Sequence, residues 1–161
     1  SKSIYTMQVP ASEVGAPNSQ QSAIDALLQL TNETRRKKGR PELIIDARLA
    51  RAAQLHSEQM HRAQSLTHQT RGEDDFQKRL MKQGYPQVWC AENIAQAPNA
   101  LLVHRLWSQS PGHRKNMMGK KYTRVGFGRS GQYWTANYAE SAGSSGGGSM
   151  PPPASSSYGG F

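Results

Sequence analysis

The segment from Gly84 to Met118, GYPQVWCAENIAQAPNALLVHRLWSQSPGHRKNMM, carries most of the information about the fold of this 161-residue chain. It holds Glu92 in a mostly apolar setting and His113 in a Ser-Pro-Gly-His-Arg segment that predicts a turn. Residues 99–109, between these two, have the apolar spacing of a helix. The residues predicted to pack inward from this helix are Leu102, Leu106 and Trp107. An intervening helix can bring a glutamate and a histidine together, but spacing alone equally allows two unrelated surface residues.

Helical spacing also occurs in three segments before this stretch. The first predicted helix begins at a polar entry near Ser19 and ends at Gly39. Asp46 is the predicted N-cap of the second helix. The apolar face of that helix is formed by Leu49, Ala53 and Met60. A short third helix is predicted to open at residues 72–75, where Gly72 is followed by three acidic residues, because negative charge favours a helix N-terminus.

Two alternating runs, residues 123–129 and 132–139, follow the central stretch and are joined by Ser130 and Gly131. Alternation on both sides of a short glycine-containing turn predicts a β-hairpin. In its first run, Val125 and Phe127 share a face. About four helices together with a small sheet predict an α+β layered domain.

The length of the chain fits one domain with non-periodic segments at both ends. We predict an extended leader at residues 1–18, a folded domain at 19–140, and a disordered Gly/Ser/Pro-rich tail at 141–161. No run of about 18 apolar residues is present, so we expect no membrane-spanning helix. The sequence starts at Ser1 without a recognisable signal peptide, and we expect a processed or trimmed N-terminus.

The net charge is +9, from 20 basic and 11 acidic residues, and part of the basic excess is clustered. One cluster consists of Arg35, Arg36, Lys37 and Lys38. Such a cluster indicates either attraction to an anionic surface or a solvated helix end whose charge favours solubility. No stacking aromatic residues and no nucleic-acid motif accompany it, so nucleic acid is not an expected partner.

Cys90 is the only cysteine, so no disulfide can form within the chain. Its position two residues before Glu92 would suit a catalytic thiol. A lone cysteine is more often a small buried hydrophobic residue, and this is the interpretation that we favour for Cys90.

Short motifs follow one another in a fixed order: SLTH at 65–68, AENIA at 91–95, LWSQSPGHRKNM at 106–117, and GFG at 126–128 followed by YW. With this ordered set the chain resembles the CAP superfamily (cysteine-rich secretory proteins, antigen 5 and pathogenesis-related 1), and more closely its short bacterial-type branch. The resemblance implies a three-layer α-β-α sandwich with a small antiparallel sheet. It also implies an extracytoplasmic protein, which we expect to be a monomer.

In proteins similar to this one, a cleft is lined by two histidines and one or two glutamates, which match His68, His113 and Glu92. Two imidazoles and a carboxylate can hold Zn²⁺, or alternatively Mg²⁺ or Ca²⁺, with positions left for water. The same groups can instead hydrogen-bond one another without metal, Glu92 orienting an imidazole. Related proteins often carry a second glutamate three residues after the tryptophan; Ser110 stands there, so this cleft has one carboxylate fewer.

Three roles for the cleft follow from the resemblance. The role that we favour is binding of a divalent cation and a small or macromolecular ligand; the second is a structural polar network. The third is a metal-assisted peptidase or esterase, with Glu92 as base on water polarised at His68 and His113. A serine nucleophile beside His113, either Ser108 or Ser110, is conceivable, although no nucleophile elbow is present.

Some proteins similar to this one bind sterols or fatty acids, which requires an apolar groove. The candidate ligand-binding residues are Tyr85, Trp89 and Ser110, although both aromatic side chains would suit a core equally well. Lipid binding therefore stays open as an alternative. So does polyanion binding through residues 35–38, for which steep salt dependence is expected.

Overall fold

The computed structural model describes residues 16–142 and 156–158, with five helices and five strands among them. The helices are α1 (Ala16–Lys37), α2 (Ala47–Ala63), α3 (Phe76–Lys82), α4 (Ala100–Gln109) and α5 (Pro111–Met117). The strands are β1 (Ile44–Ile45), β2 (Cys90–Gln96), β3 (Arg124–Ser130), β4 (Tyr133–Ala139) and β5 (Ser156–Tyr158). No helix among these residues is both long enough and apolar enough to cross a bilayer.

The strands form one sheet in the order β1-β3-β4-β2-β5. Its centre is antiparallel, because β4 pairs in opposite direction with both β3 and β2, while β1 and β5 add short parallel edges. Ser130 pairs with Tyr133, so the predicted hairpin is confirmed, but its two-residue loop is Gly131 and Gln132 rather than Ser130 and Gly131. Glu92 of β2 lies opposite Asn137 of β4, which places both residues on the same face of the sheet.

Helices cover both faces of the sheet, and the predicted three-layer α-β-α sandwich is confirmed. On one face, α2 lies so close to β3 that a Cβ added to Gly126 would come within 2.0 Å of the Leu49 carbonyl carbon. On the other face, α1, α4 and α5 enclose the main core around Trp107 and Trp134. Because Gly126 has no side chain, the backbone of α2 can pack directly against β3.

Two helices begin at polar capping residues, one of which the sequence predicts. Asp46 accepts hydrogen bonds from the backbone amides of Arg48 and Leu49, and thus caps α2 as expected. Asn99 caps α4 in the same way through the amide of Leu102. These caps satisfy backbone donors that otherwise lack an intrahelical partner.

Two local predictions in the central stretch were wrong. The segment that contains His113 is the helix α5 rather than a turn, since Pro111 occupies a first-turn position where its missing amide costs nothing. Leu106 does not pack inward: it is 46% exposed, and Val103 and Trp107 take the buried face of α4. Small shifts of phase around a ten-residue helix decide which apolar residues are covered.

The ends of the domain differ slightly from the predicted boundaries. Helix α1 begins at Ala16, within the predicted leader, and residues 1–15 lie outside the described part of the chain. In the predicted tail, Ser156–Tyr158 pair in parallel with Cys90–Glu92 at the edge of the sheet. The remaining tail residues after 142 also lie outside the described part.

Candidate functional site

Glu92 is fully buried on β2, and its carboxylate is held by two side chains. Arg79 of α3 donates from Nη1 to Oε2 at 2.8 Å and from Nη2 to Oε1 at 3.1 Å. His68 Nδ1 lies 2.9 Å from Oε1. Burial alone would raise the pKa of Glu92, but the Arg79 charge and the hydrogen bonds outweigh it and hold the pKa below its ordinary value. Glu92 is therefore a carboxylate in a buried ion pair.

The loop that carries His68 is fixed by the same arginine. Arg79 Nη2 donates to the backbone carbonyl oxygen of His68 at 2.7 Å, and Arg79 Nε donates to the carbonyl of Asp74 at 3.1 Å. A single buried guanidinium thus joins α3, the loop at residues 64–75 and β2. Because Arg79 binds both the His68 backbone and the Glu92 carboxylate, it holds the His68 imidazole next to Glu92.

A second buried contact between a histidine and a glutamate adjoins the first. His56 of α2 places Nδ1 2.7 Å from Glu73 Oε2 and Nε2 2.9 Å from the carbonyl oxygen of Thr67. Arg79 Nε also lies 3.4 Å from Glu73 Oε2. The two carboxylates and their partners therefore form one interior network.

His113 lies on α5 and is only 3% exposed, yet neither ring nitrogen has a hydrogen-bond partner among the described residues. Burial, followed by the charge of the neighbouring His68, lowers the pKa of His113 to about 4. The imidazole is therefore neutral at pH 7. Its backbone is fixed, since Asn93 Nδ2 donates to the His113 carbonyl at 2.9 Å and Asn116 Nδ2 donates to Asn93 Oδ1 at 3.0 Å.

A cleft of about 280 Å³ opens beside His113. Its described lining is mostly apolar and comes from the loop before His68, from β2 and from α4 and the start of α5. The lining residues include Leu66, Ile94, Leu106, Trp107 and Ser110. Trp107 is held in place by a hydrogen bond from Nε1 to the carbonyl of Ile94 at 2.9 Å. The exposed Leu106 thus forms a wall of the cleft instead of packing into the core.

The structure brings the three predicted cleft residues into one neighbourhood. His68 and Glu92 are in contact, and His113 is near enough to His68 for its pKa to respond to it. Tyr85 is not at the cleft: it is buried in a separate core cluster, and its hydroxyl donates to the Glu140 carbonyl. Trp89 is not among the described lining residues of the cleft either, and Lys121 Nζ lies 3.7 Å from the centroid of its ring. Ser110 does line the cleft.

The donor set does not fit the divalent cation that the sequence indicates. Both oxygens of Glu92 already accept from Arg79, so a cation bound there would meet a guanidinium in direct contact with its carboxylate ligand. Within residues 16–142 and 156–158, no group of three or more His, Cys, Asp or Glu side chains is arranged to hold a metal ion. We therefore assign Glu92 no metal-binding role.

The nucleophiles considered from the sequence are not activated in this geometry. Ser108 Oγ lies 3.4 Å from His104 Nε2 rather than beside His113, and the His113 ring has no hydrogen bond to Ser110. Cys90 is buried as predicted, and burial, followed by the charge of Glu92, raises its pKa to about 12. A thiol with so high a pKa stays protonated and is a poor nucleophile.

The predicted polyanion cluster divides into a structural and an exposed part. Arg35 is fully buried and donates to the carbonyl oxygens of Pro41, Met117 and Tyr122, so its assignment as a polyanion-binding residue was wrong. Arg36 is exposed and pairs with Glu42 at 2.7 Å. Lys37 and Lys38 are exposed at the end of α1. Helical spacing puts Arg35 on the buried side of α1 with Leu27 and Thr31. This spacing could have indicated that Arg35 is buried, although its charge suggests the surface.

Sequence reasoning missed the residues that organise the network. Arg79 follows Phe76 by three positions and therefore shares its buried face of α3. His56 completes the buried stripe of α2 between Ala53 and Met60. Glu73 was assigned only to the helix N-terminus, but its carboxylate binds His56. In all three cases the tertiary structure gives a buried role to a polar side chain.

Comparison with known proteins gives a consistent family assignment. A model described as the cysteine-rich secretory protein family, CAP, matches residues 28–138. The uncharacterized protein YkwD of Bacillus subtilis is 29% identical over 141 residues, which cover 86% of this chain and 55% of that protein. The uncharacterized membrane protein YlbC of the same organism is 32% identical over 116 residues, covering 70% and 33% respectively. This chain spans about half or less of these relatives.

Solved structures show the same fold. An extracellular protein with an SCP domain from Bacillus anthracis superimposes with a TM-score of 0.75 at 23% identity, covering 83% of this chain and 44% of that chain. A cysteine-rich secretory protein from Staphylococcus aureus superimposes with a TM-score of 0.63 at 23% identity, covering 76% of this chain and 40% of that chain. An outer surface protein of Borrelia burgdorferi superimposes with a TM-score of 0.67 at 18% identity, covering 74% of this chain and 92% of that chain.

Proposed function

This chain belongs to the cysteine-rich secretory protein (CAP) family, and we propose that it is an extracytoplasmic, monomeric ligand-binding member of that family. The ligand occupies the cleft beside His113. It is a small, mostly apolar molecule that carries one hydroxyl or similar polar group. We do not include the divalent cation that was expected from the sequence, because Arg79 donates to both carboxylate oxygens of Glu92.

The single observation that carries the proposal is the state of the His113 ring. A buried polar side chain normally has at least one hydrogen-bond partner, and one without a partner needs an explanation, such as a bound group. His113 lies at a cleft, is neutral at pH 7, and offers one donor and one acceptor nitrogen. A ligand hydroxyl can use either nitrogen, because a hydroxyl both donates and accepts.

The size and lining of the cleft limit the ligand. Its volume of about 280 Å³ is slightly below the range of about 300–1,000 Å³ for small-molecule sites. Leu66, Leu106 and Trp107 supply apolar walls, and Ser110 is a further polar contact. These features favour a fragment-sized aromatic or short aliphatic alcohol, or the corresponding end of a larger molecule.

The buried ion pair of Glu92 and Arg79 has a positioning role in this proposal. It holds the loop before α3 against β2, and so it fixes the wall to which Leu66 belongs. Glu92 is not among the described lining residues of the cleft, and its low pKa makes it a weak base. These features support binding over hydrolysis by a water that Glu92 activates.

The location outside the cytoplasm is part of the proposal. It is supported by the structures with this fold that are described as an extracellular protein and as an outer surface protein. Both share less than 25% of their residues with this chain, so they support the fold directly and the location by analogy. A fractionation of the source cells with an antibody to this chain would test it.

Binding of phenol and of toluene to the wild type and to His113→Leu tests the ligand class. The two probes have nearly the same shape and differ in one hydroxyl. We expect both to bind the cleft, with the phenol-to-toluene affinity ratio falling about fivefold in the variant, as one hydrogen bond is lost. An unchanged ratio would contradict the proposal. Turnover of p-nitrophenyl acetate that disappears in His113→Leu would instead favour the hydrolase alternative.

A further inference from the structure

A basic groove lies apart from the cleft, where the end of α1 meets α5. It has a volume of about 530 Å³. Four cationic side chains line it: Lys38, Arg40, Arg114 and Lys115. The other described lining residues are Gln109, Pro111 and Met118, so the described lining includes no carboxylate.

The cations are brought together from two parts of the sequence. Lys38 and Arg40 follow α1, whereas Arg114 and Lys115 lie on α5, more than 70 residues later. Arg40 is positioned by hydrogen bonds from Nε to the Met118 carbonyl at 3.0 Å and from Nη1 to the Lys38 carbonyl at 3.3 Å. The contact between α1 and α5 therefore builds the groove, and neither segment forms it alone.

A fifth positive charge lies in the protein interior next to the groove. Arg35 donates only to carbonyl oxygens in the described structure, including that of Met117, so no carboxylate there neutralises it. Arg35 and Arg40 donate to the adjacent backbone carbonyls of Met117 and Met118, so the two side chains are neighbours. Burial lowers the pKa of Arg35, Tyr138 partly offsets this, and the charge of Arg40 lowers it further. An anion in the groove would be attracted by this interior charge as well as by the lining.

We propose that this groove binds a multiply charged phosphate group. The four lining cations can surround several phosphate oxygens, and arginine in particular suits paired hydrogen bonds to them. A volume of about 530 Å³ accommodates a short polyphosphate chain or the phosphorylated headgroup of a lipid. The described lining has no aromatic ring on which a base could stack, which argues against single-stranded nucleic acid.

The proposal goes beyond ligand binding in the cleft and uses different side chains. His113 does not belong to the groove, and Arg114 and Lys115 are not among the described residues of the cleft. A His113→Leu variant should therefore bind phosphate as the wild type does. Failure of one proposal leaves the other intact.

Calorimetric titration with sodium tripolyphosphate at 150 mM NaCl tests the groove on the full chain. The test variant is Arg114→Gln/Lys115→Gln. The control is Lys37→Gln/Lys120→Gln, which removes two exposed charges outside the groove and gives the same net charge. We expect saturable binding by the wild type, a loss of about tenfold or more in the test variant, and little change in the control.

A parallel arm identifies the source of the phosphate. Vesicles of phosphatidylcholine with phosphatidylglycerol are sedimented with each protein, with and without tripolyphosphate. Binding to vesicles that the test variant loses and the control keeps assigns the groove to a lipid headgroup, whereas binding of tripolyphosphate alone assigns it to free phosphates. Equal losses in both variants would mean attraction to overall charge and would overturn the proposal. So would the absence of binding to either probe.

Discussion

Arg79 binds both carboxylate oxygens of Glu92 inside the protein, at 2.8 and 3.1 Å. Because of this ion pair, we expect Glu92 to serve neither as a metal ligand nor as a base. The ion pair also explains how a fully buried carboxylate remains ionised, since the arginine compensates for the loss of hydration.

Replacing Arg79 with Gln should destabilise the fold by about 3–5 kcal/mol, because Glu92 would be left buried without its cation. Urea unfolding followed by far-ultraviolet circular dichroism measures this cost. Arg36→Gln is the matched control, since Arg36 pairs with Glu42 on the surface and such a pair contributes about 1 kcal/mol or less. Equal effects of the two substitutions would contradict the proposed role of Arg79.

Stability should fall on acidification in two stages. The pKa of His113 is about 4 in the fold against an ordinary value of 6.5, so the unfolded chain takes up a proton first as the pH falls below 6.5. Each pH unit between these two pKa values lowers the free energy of unfolding by about 1.4 kcal/mol. The folded pKa values of Glu92 and Glu73 are also lowered, so their stabilisation is present above the ordinary value of 4.5 and disappears below it.

Urea unfolding at a series of pH values separates the contribution of His113 from that of the carboxylates. The unfolding midpoint is measured in steps of about half a pH unit to one pH unit, from neutral pH down to the ordinary pKa of glutamate. His113→Leu should make the decline just below the ordinary histidine pKa of 6.5 shallower, while keeping the loss at lower pH that the carboxylates cause. Burial also lowers the pKa of His104, so a smaller decline in the upper range should persist in the variant. A variant that declines as steeply as the wild type in the upper range would show that His113 is not the group responsible.

Gly126→Ala should cost about 3 kcal/mol or more, because the new methyl group would overlap the backbone of α2 at Leu49 and Ala50. Thermal unfolding of the variant measures the loss. Gly39→Ala is a useful comparison: nothing lies within 4 Å of its added Cβ, and the substitution costs only the strain of a positive φ, about 1 kcal/mol. A mild effect at Gly126 would argue against the close packing of α2 on β3.

Calorimetric titration with zinc should give no saturable binding of one ion per chain that depends on the cleft residues. The physical reason is that Arg79 occupies the only carboxylate of the predicted set. The experiment compares the wild type with His68→Ala/His113→Ala. Tight binding to the wild type that the double variant loses would restore the metal hypothesis.

Local chemistry in the sequence predicts the Asp46 cap, the hairpin and the α+β class well. The cap and the two-residue hairpin loop depend on neighbours only a few residues away, so their formation depends little on the rest of the chain. The contact between His68 and Glu92 is different, because it joins positions 24 residues apart. It was expected only from family resemblance.

The buried arginines could not be derived from the sequence in the same way. Arg35 finds carbonyl oxygens more than 80 residues away, at Met117 and Tyr122, and Arg79 finds a carboxylate across the helix–sheet boundary. A charged residue is usually at the surface, and only the tertiary structure reveals a compensating partner. The basic groove was hidden for the same reason, since its two halves meet only in the fold.

The role of His113 in ligand binding can be tested directly by nuclear magnetic resonance of protein with ¹⁵N-labelled histidine during a phenol titration at pH 7. We predict that the ring nitrogen signals of His113 are those of a neutral imidazole and shift saturably as phenol binds. The signals of the exposed His61 should stay unchanged. Saturating phenol that leaves the His113 ring signals in place, or no binding of phenol, would contradict the assignment of His113 as the polar contact of the ligand.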